Sequence, residues 1–202
     1  AFAAFQLKEY DDVLSDASVF REKYADHEFT SDVSKLVEES RVLKSVELFK
    51  AEKFAETIEL LTAVVKDNPK GKRVAESLLL LARSQARLEK YDDAKASIGQ
   101  LMEGFPESKL LPEAIFRLGE YHFVGTDFDG AITHFTSVID NYADSEFAKD
   151  AIGRRADVKF EKGRKQLEDK QVAEAIETWN SILAELEDYR LAHAVLYEVA
   201  FA

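Results

Sequence analysis

The stretch Gly125-Thr126-Asp127-Phe128-Asp129-Gly130-Ala131-Ile132-Thr133-His134-Phe135 reads GTDFDGAITHF, and the chain already reads EKYDDAKASI from Glu89 to Ile98. In both places an aromatic is followed by two polar residues and then by Ala131 or Ala94. The aromatics, Phe128 and Tyr91, are 37 residues apart. From Phe128 onward, apolar or small residues recur as Ala131, Ile132, Phe135, Val138, Ile139 and Tyr142. These offsets trace one stripe of an α-helix. Tyr91 starts the same series with Ala94, Ile98, Leu101, Met102 and Phe105. Phe54 gives Ile58, Leu61, Val64 and Val65; Tyr10 gives Val13, Leu14, Ala17, Phe20 and Tyr24; Val172 gives Ala175, Ile176, Trp179, Ile182, Leu183 and Leu186. Five segments in order share one pattern, so the chain is a repeat array.

The first four of these helices run into similar turns: KYADHEF, DNPKGKR, GFPESKL and NYADSEF. Pro69 and Pro106 sit where a helix must stop. A second helix then begins, with Ser108 and Ser145 as expected N-caps. Gly125 is expected to stop it and Asp127 to cap the next one. Each repeat is therefore helix A, a tight turn, helix B and another tight turn. The anchors at residues 10, 54, 91, 128 and 172 are spaced by 44, 37, 37 and 44. Seven extra residues are close to two helical turns, which lengthen helix A by about 10 Å and return its apolar stripe to nearly the same face. The lengthened helices are expected at roughly 29–51 and 146–169, with protruding, wet ends that mark contact sites.

Composition agrees with an all-α protein. Glycine is 8 and proline 3 of 202 residues, too few for the many turns of an all-β fold. Hydrophobic residues at 46% support a folded core. The net charge of -12 repels phosphate backbones and anionic lipid, so nucleic acid is not an expected partner. Without cysteine there is no disulfide, thiol nucleophile or thiolate metal site. No apolar run reaches 18 residues, so no membrane span is expected.

The residues Leu118-Gly119…Phe128-Asp129-Gly130-Ala131…Phe135 and Leu81-Ala82…Tyr91-Asp92-Asp93-Ala94 resemble the tetratricopeptide repeat, which sets a small residue of helix A against an alanine of helix B. The resemblance covers almost the whole chain. It is weaker at Thr57 and Val172, which replace the family's alanine and aromatic, and at Ala25 and Ala143, which replace its proline. The 37-residue period with FPES and YADS between repeats is similar in style to tetratricopeptide proteins of the bacterial envelope, such as the outer-membrane assembly lipoprotein and the coordinator of the Tol-Pal system. The resemblance implies a right-handed α-solenoid of antiparallel helix pairs, one array over residues 1–202 with about five repeats. It implies a periplasmic or cell-envelope setting ahead of a cytoplasmic one. Gly119 and Ala131 are expected to face each other. On the same alignment Ala1 falls in the middle of a helix A, and AHAVLYEVAFA at the start of another. The chain is therefore read as a piece of a longer array, or as one whose apolar ends are covered, self-association being one way to cover them.

Chemistry is sparse. The four histidines, His27, His122, His134 and His193, are read as one to each of four repeats, with no ligand spacing of three or four; His122 is expected in the core. Neither a metal nor a cofactor is expected. Asp92-Asp93 and Glu38-Glu39 are read as helix-start or solvated carboxylates. There is no GxSxG, HExxH or phosphate loop, and EKGRK follows no strand. The chain is read as a non-enzyme. The family's carboxylate clamp for chaperone tails needs Lys and Asn, where Leu79, Arg83, Phe116 and Glu120 stand, so that ligand class is removed.

Two readings remain, with the regulatory domain of an enzyme a distant third. One is a scaffold that binds a protein segment on the concave side; the other is a structural array that packs on sister chains or neighbouring domains. In the helix around residue 116, Ile115, Leu118, Gly119 and His122 should face helix B. Glu113, Phe116, Glu120 and Phe123 should project toward the concave side, joined by Glu76, Leu79, Arg83 and Arg87 of the preceding repeat. The same positions also suit packing between neighbouring A helices, which would bury Phe116 and Phe123 without any ligand.

Overall fold

The computed structural model describes residues 1–186 and 189–201; Ala202, the last residue of the apolar end, lies outside them. Among the described residues the regular elements are all α-helices: α1 Phe2–Gln6, α2 Tyr10–Lys23, α3 Thr30–Lys50, α4 Phe54–Asp67, α5 Val74–Arg87, α6 Tyr91–Gly104, α7 Leu111–Val124, α8 Phe128–Asn141, α9 Glu146–Glu168, α10 Val172–Glu185 and α11 Ala192–Phe201. All five sequence anchors are the first residues of the even-numbered, B-type helices. Each of those helices is 14 residues long. Among the A helices α5 and α7 also have 14 residues, whereas α3 has 21 and α9 has 23, as the two long spacings require.

The chain divides into two compact units, residues 1–110 and 111–202. Within each, a helix packs on the one before and the one after it, and neighbouring A helices touch: α1 with α3 and α3 with α5 in the first unit, α7 with α9 in the second. The pairs are antiparallel. Lys162 of α9 reaches Asp129 at the start of α8, while Arg155, seven residues earlier, reaches Thr136.

The A-to-B turns are one motif used five times. Lys8, Glu52, Glu89, Thr126 and Lys170, each two residues before an anchor, have φ between 59° and 64°. At each turn the next N–H reaches back five residues, as in Lys53 N to Leu48 O, Lys90 N to Gln85 O and Asp127 N to His122 O, all at 2.9 Å. This left-handed C-terminal cap satisfies carbonyls the helix leaves open. None of the five is glycine, although an L-residue there costs roughly 1–2 kcal/mol. α7 ends at Val124 with Gly125 directly after it, as expected from sequence, but no glycine has a positive φ and Thr126 takes the left-handed position. Asp127 does cap α8, its Oδ1 accepting the Gly130 N–H at 3.0 Å. Ser145 occupies the N-cap of α9 without a side-chain cap bond. The Ser108 hydroxyl accepts from Leu110 N, just ahead of α7.

The core is a seam between A and B. Seven residues after each anchor sit Ala17, Leu61, Ile98, Phe135 and Trp179, all buried. Nine residues before the later anchors sit Ser45, Ala82, Gly119 and Gly163. A Cβ on Gly119 would come within 2.9–3.1 Å of the Phe135 ring, and one on Gly163 within 2.3–2.7 Å of the Trp179 indole. Gly119 therefore makes room for Phe135, a ring that sequence reasoning did not pair with it. The aromatic ring fills the gap that two small residues would have left. Trp179 Nε1–H also donates to Phe160 O at 3.1 Å, across the same seam. The charged ends of the lengthened helices are wet in part, as expected: Arg164, Lys165, Glu168 and Asp169 are exposed at the end of α9, and Lys50 at the end of α3. Ala148, Ala151 and Gly163 of α9 are buried, and Phe147 packs on Phe116 at 5.6 Å between ring centroids.

Two substitution sets follow. Gly163→Ala must displace the indole and strain its hydrogen bond, so it should destabilise by about 1–3 kcal/mol despite better helix propensity. Gly99→Ala and Gly153→Ala place a methyl where nothing lies within 4 Å; each should stabilise by up to about 1 kcal/mol. Thr126→Gly, which relieves a β-branched residue at φ 61°, should stabilise by about 0.5–1 kcal/mol, part of the relief being offset by the freer unfolded chain. Denaturant titration followed by circular dichroism reads all four.

Candidate partner-binding faces

The eight residues expected to line a groove are divided between the two units. In the first, α5 carries Glu76, Leu79, Arg83 and Arg87. Leu79 is 5% exposed and belongs to the core. Glu76 pairs with Arg73 at 2.8 Å, and Arg73 pairs in turn with Glu39 of α3 at 2.7 Å. The Arg83 guanidinium lies 5.1 Å from the centroid of the Phe49 ring, and that of Arg87 5.3 Å from the Phe54 ring. Arg87 is also 3.8 Å from Glu52. Flat cations over ring faces gain from the ring quadrupole.

In the second unit, α7 carries Glu113, Phe116, Glu120 and Phe123. Phe116 is 6% exposed. It stands edge-on to Phe135 of α8 and packs on Phe147 of α9. Phe123 is half-buried beneath Arg154 of α9, 5.7 Å from the ring centroid. Around these rings runs an alternating row of charge. Arg117 is 3.6 Å from Glu113 and 2.8 Å from Glu120. Arg154 is 3.4 Å from Glu120 and 3.8 Å from Asp157. Asp157 then receives the Tyr189 hydroxyl and Arg190, each at 2.8 Å. Burial works against the Arg117 charge, but the hydrogen bond to Glu120 and the charges of Glu120 and Glu113 hold its pKa above the ordinary value. Burial and the bond to Asp157 push the Tyr189 phenol well up.

Sequence reasoning found α5 and α7 as the bearers of these faces and missed what completes them. Arg117, Arg154 and Phe49 were not singled out; the i−4 and i+3 spacing to Glu113 and Glu120 could have marked Arg117, whereas Arg154 meets Glu120 across 34 residues. It also missed a histidine pair. His122 and His134 belong to the same A–B pair, not to separate repeats, and their rings stack at 4.9 Å between centroids. The paired carboxylates hold structure. Glu38 accepts from the Asn68 side chain at 2.8 Å and from Arg73 N at 3.4 Å. Asp92, in the first turn of α6, is held below its ordinary pKa by the hydrogen bond and charge of Lys95. Among the described residues no group of three His, Asp or Glu side chains could hold a metal ion, and no helix is long and apolar enough to cross a membrane.

With this geometry in place, comparison with known proteins is informative. The family model for the tetratricopeptide repeat matches residues 79–146, from within α5 to the first residue of α9. This supports reading the chain as a tetratricopeptide-repeat protein. No curated protein matches it. Among solved structures it is similar to a MamA protein, at 17% identity over 81% of this chain and 79% of that one, with a TM-score of 0.52. It is also similar to BtubC (BKLC) from P. vanneervenii, at 13% identity over 80% of this chain and 65% of that one, with a TM-score of 0.56. At such identities the shared property is the fold.

Phe116→Ala removes a ring wedged among three helices. It should cost about 3–5 kcal/mol and lower the melting temperature. Phe123→Ala, at a half-buried site, should cost distinctly less. A thermal melt of each variant checks the order.

Proposed function

We propose that the chain is a non-catalytic scaffold that binds a protein segment on the faces of its A helices. One observation carries the reading. All four arginine–aromatic contacts found among the described residues use an arginine of an A helix: Arg83 and Arg87 of α5, Arg117 of α7 and Arg154 of α9. Arginine and aromatic residues dominate binding hot spots. A guanidinium already resting on a ring loses little further freedom when it meets a carboxylate or a peptide carbonyl. Glu76, Arg83 and Arg87 form the contact surface of α5, with Leu79 beneath it; Glu113, Glu120 and Phe123 form that of α7, with Phe116 beneath it. The repeat architecture suits this role, since stacked helix pairs present extended surfaces. A periplasmic or cell-envelope assembly remains the proposed setting, on the style of the repeat.

A structural, self-associating array is the second reading. It is favoured by α11, where Leu196 and Tyr197 are 54% and 62% exposed. They stand 24 and 25 residues after an anchor, the places of Ile115 and Phe116, which are buried in α7.

A peptide-display selection against the immobilised chain tests the scaffold. Arg83→Ala and Arg87→Ala should each weaken the selected peptides about tenfold or more at unchanged melting temperature. Undiminished binding in both would reject the α5 face. Light scattering across a concentration series tests self-association: a monomer throughout rejects it, and Tyr197→Glu should abolish any oligomer that forms through α11.

A further inference from the structure

One contact recurs six residues on either side of the anchors. In the α5–α6 pair the Ser97 hydroxyl donates to Gln85 Oε1 at 2.8 Å. In the α9–α10 pair the Thr178 hydroxyl donates to Gln166 Oε1, also at 2.8 Å. These bonds tie helix A to helix B beside the turn, and neither group changes charge near neutral pH. The α7–α8 pair, between them in sequence, puts His122 and His134 at the same two places. Their rings stack at 4.9 Å with a 36° tilt. His122 Nδ1–H donates to Asp127 Oδ2 at 2.7 Å, and the other oxygen of that carboxylate caps α8. The cluster is closely fitted: a Cβ on Gly130 would lie 2.5 Å from Asp127 Oδ2 and 2.6 Å from His122 Nδ1.

We propose that His122, His134 and Asp127 form a pH-sensitive latch that loosens α7 from α8 as the medium turns mildly acidic. A proton on each ring would set two cations face to face at stacking distance, in a half-buried place where water screens them poorly. The surroundings do not relieve this. Along α8, the groups that α9 brings are already matched in ion pairs: Arg155, bonded to Thr136 Oγ1 and paired with Glu185, and Lys162, paired with Asp129. From α7 the facing group is His122, and the one carboxylate in the cluster, Asp127, is already engaged. Burial, then His122, lowers the pKa of His134, with Asp127 acting in the opposite sense. The sign follows. The unfolded chain takes up its proton first as pH falls below about 6.5, the ordinary histidine value, so the folded form loses stability from there downward. The left-handed Thr126 lies inside the same turn and adds strain that the latch restrains. The latch does not depend on what the A-helix faces bind, but Phe123 follows His122 directly, so loosening it would disturb the α7 face.

The double variant His122→Gln with His134→Ser copies the α5–α6 pair. Between pH 7.5 and 5.0 the melting temperature of the wild-type chain should fall about 3–5 °C further than that of the variant. Amides around the turn, residues 119–131, should lose exchange protection in the wild type alone. Equal acid response in both proteins would overturn the latch. Should the double variant be unfolded at pH 7.5, His134→Thr takes its place under the same criterion. The histidine Cε1–H resonances of the wild-type chain decide independently. His134 should titrate below the ordinary histidine value of about 6.5, and titration at that value or higher would overturn the proposal.

Discussion

The close approach of helix A to helix B, set by one small residue facing one large one, is the contact from which the rest of the molecule is built. Where helix A offers glycine, helix B offers the largest rings, Phe135 and Trp179. Where helix A offers Ala82 or Ser45, helix B offers Ile98 or Leu61. The summed volume across the seam is thereby held nearly level while its halves vary. A close-packed interior allows such compensation and penalises change on one side alone. The same register, nine residues before and seven after the anchor, recurs from Ser45 and Leu61 to Gly163 and Trp179. That uniformity lets helices of 14, 21 and 23 residues belong to one series.

The turns hold this spacing from the other end. Five consecutive uses of the left-handed cap put the anchor at the first position of helix B each time, although the residue that bends is Lys, Glu, Glu, Thr and Lys. The backbone bonds, rather than any particular side chain, specify the bend. It persists because the seam on one side and the cap bonds on the other leave the chain no alternative path. The arginine and aromatic faces depend on both devices, since Arg83 and Arg117 are aimed by helices whose rotation the seam fixes.

Helical architecture was legible because it rests on periodicity, which the offsets from Phe128 and its counterparts carry in plain form. The long α3 and α9 were legible for the same reason, through two spacings of 44. The ring in the seam was not. Gly119 was matched to Ala131 by size alone, and Phe135, whose ring reaches Gly119 from a longer arm, was not paired with it. Gly125 was read as the stop after α7, but the left-handed bend falls on Thr126, because hydrogen bonding decides the residue. At the candidate faces the bearers were readable from helix phase. Their completion was not, because Arg154 on Glu120 and Arg83 on Phe49 join residues 34 apart in sequence. The stacking of His122 on His134 was hidden for a related reason. A separation of twelve residues says nothing until the turn between the helices is known.

Trp179 is the sole tryptophan of the chain, and it is fully buried against Gly163 with its indole N–H bonded to a backbone carbonyl. Its ultraviolet emission is therefore a local gauge. It registers the state of α9 and α10, while separation of α3 from α4 in the other unit leaves it dark to the observer. Cooperativity in stacked-repeat proteins can break down between segments. A fluorescence trace and an ellipticity trace taken from one sample then describe two different populations, and the distance between their midpoints measures how far the second unit melts on its own.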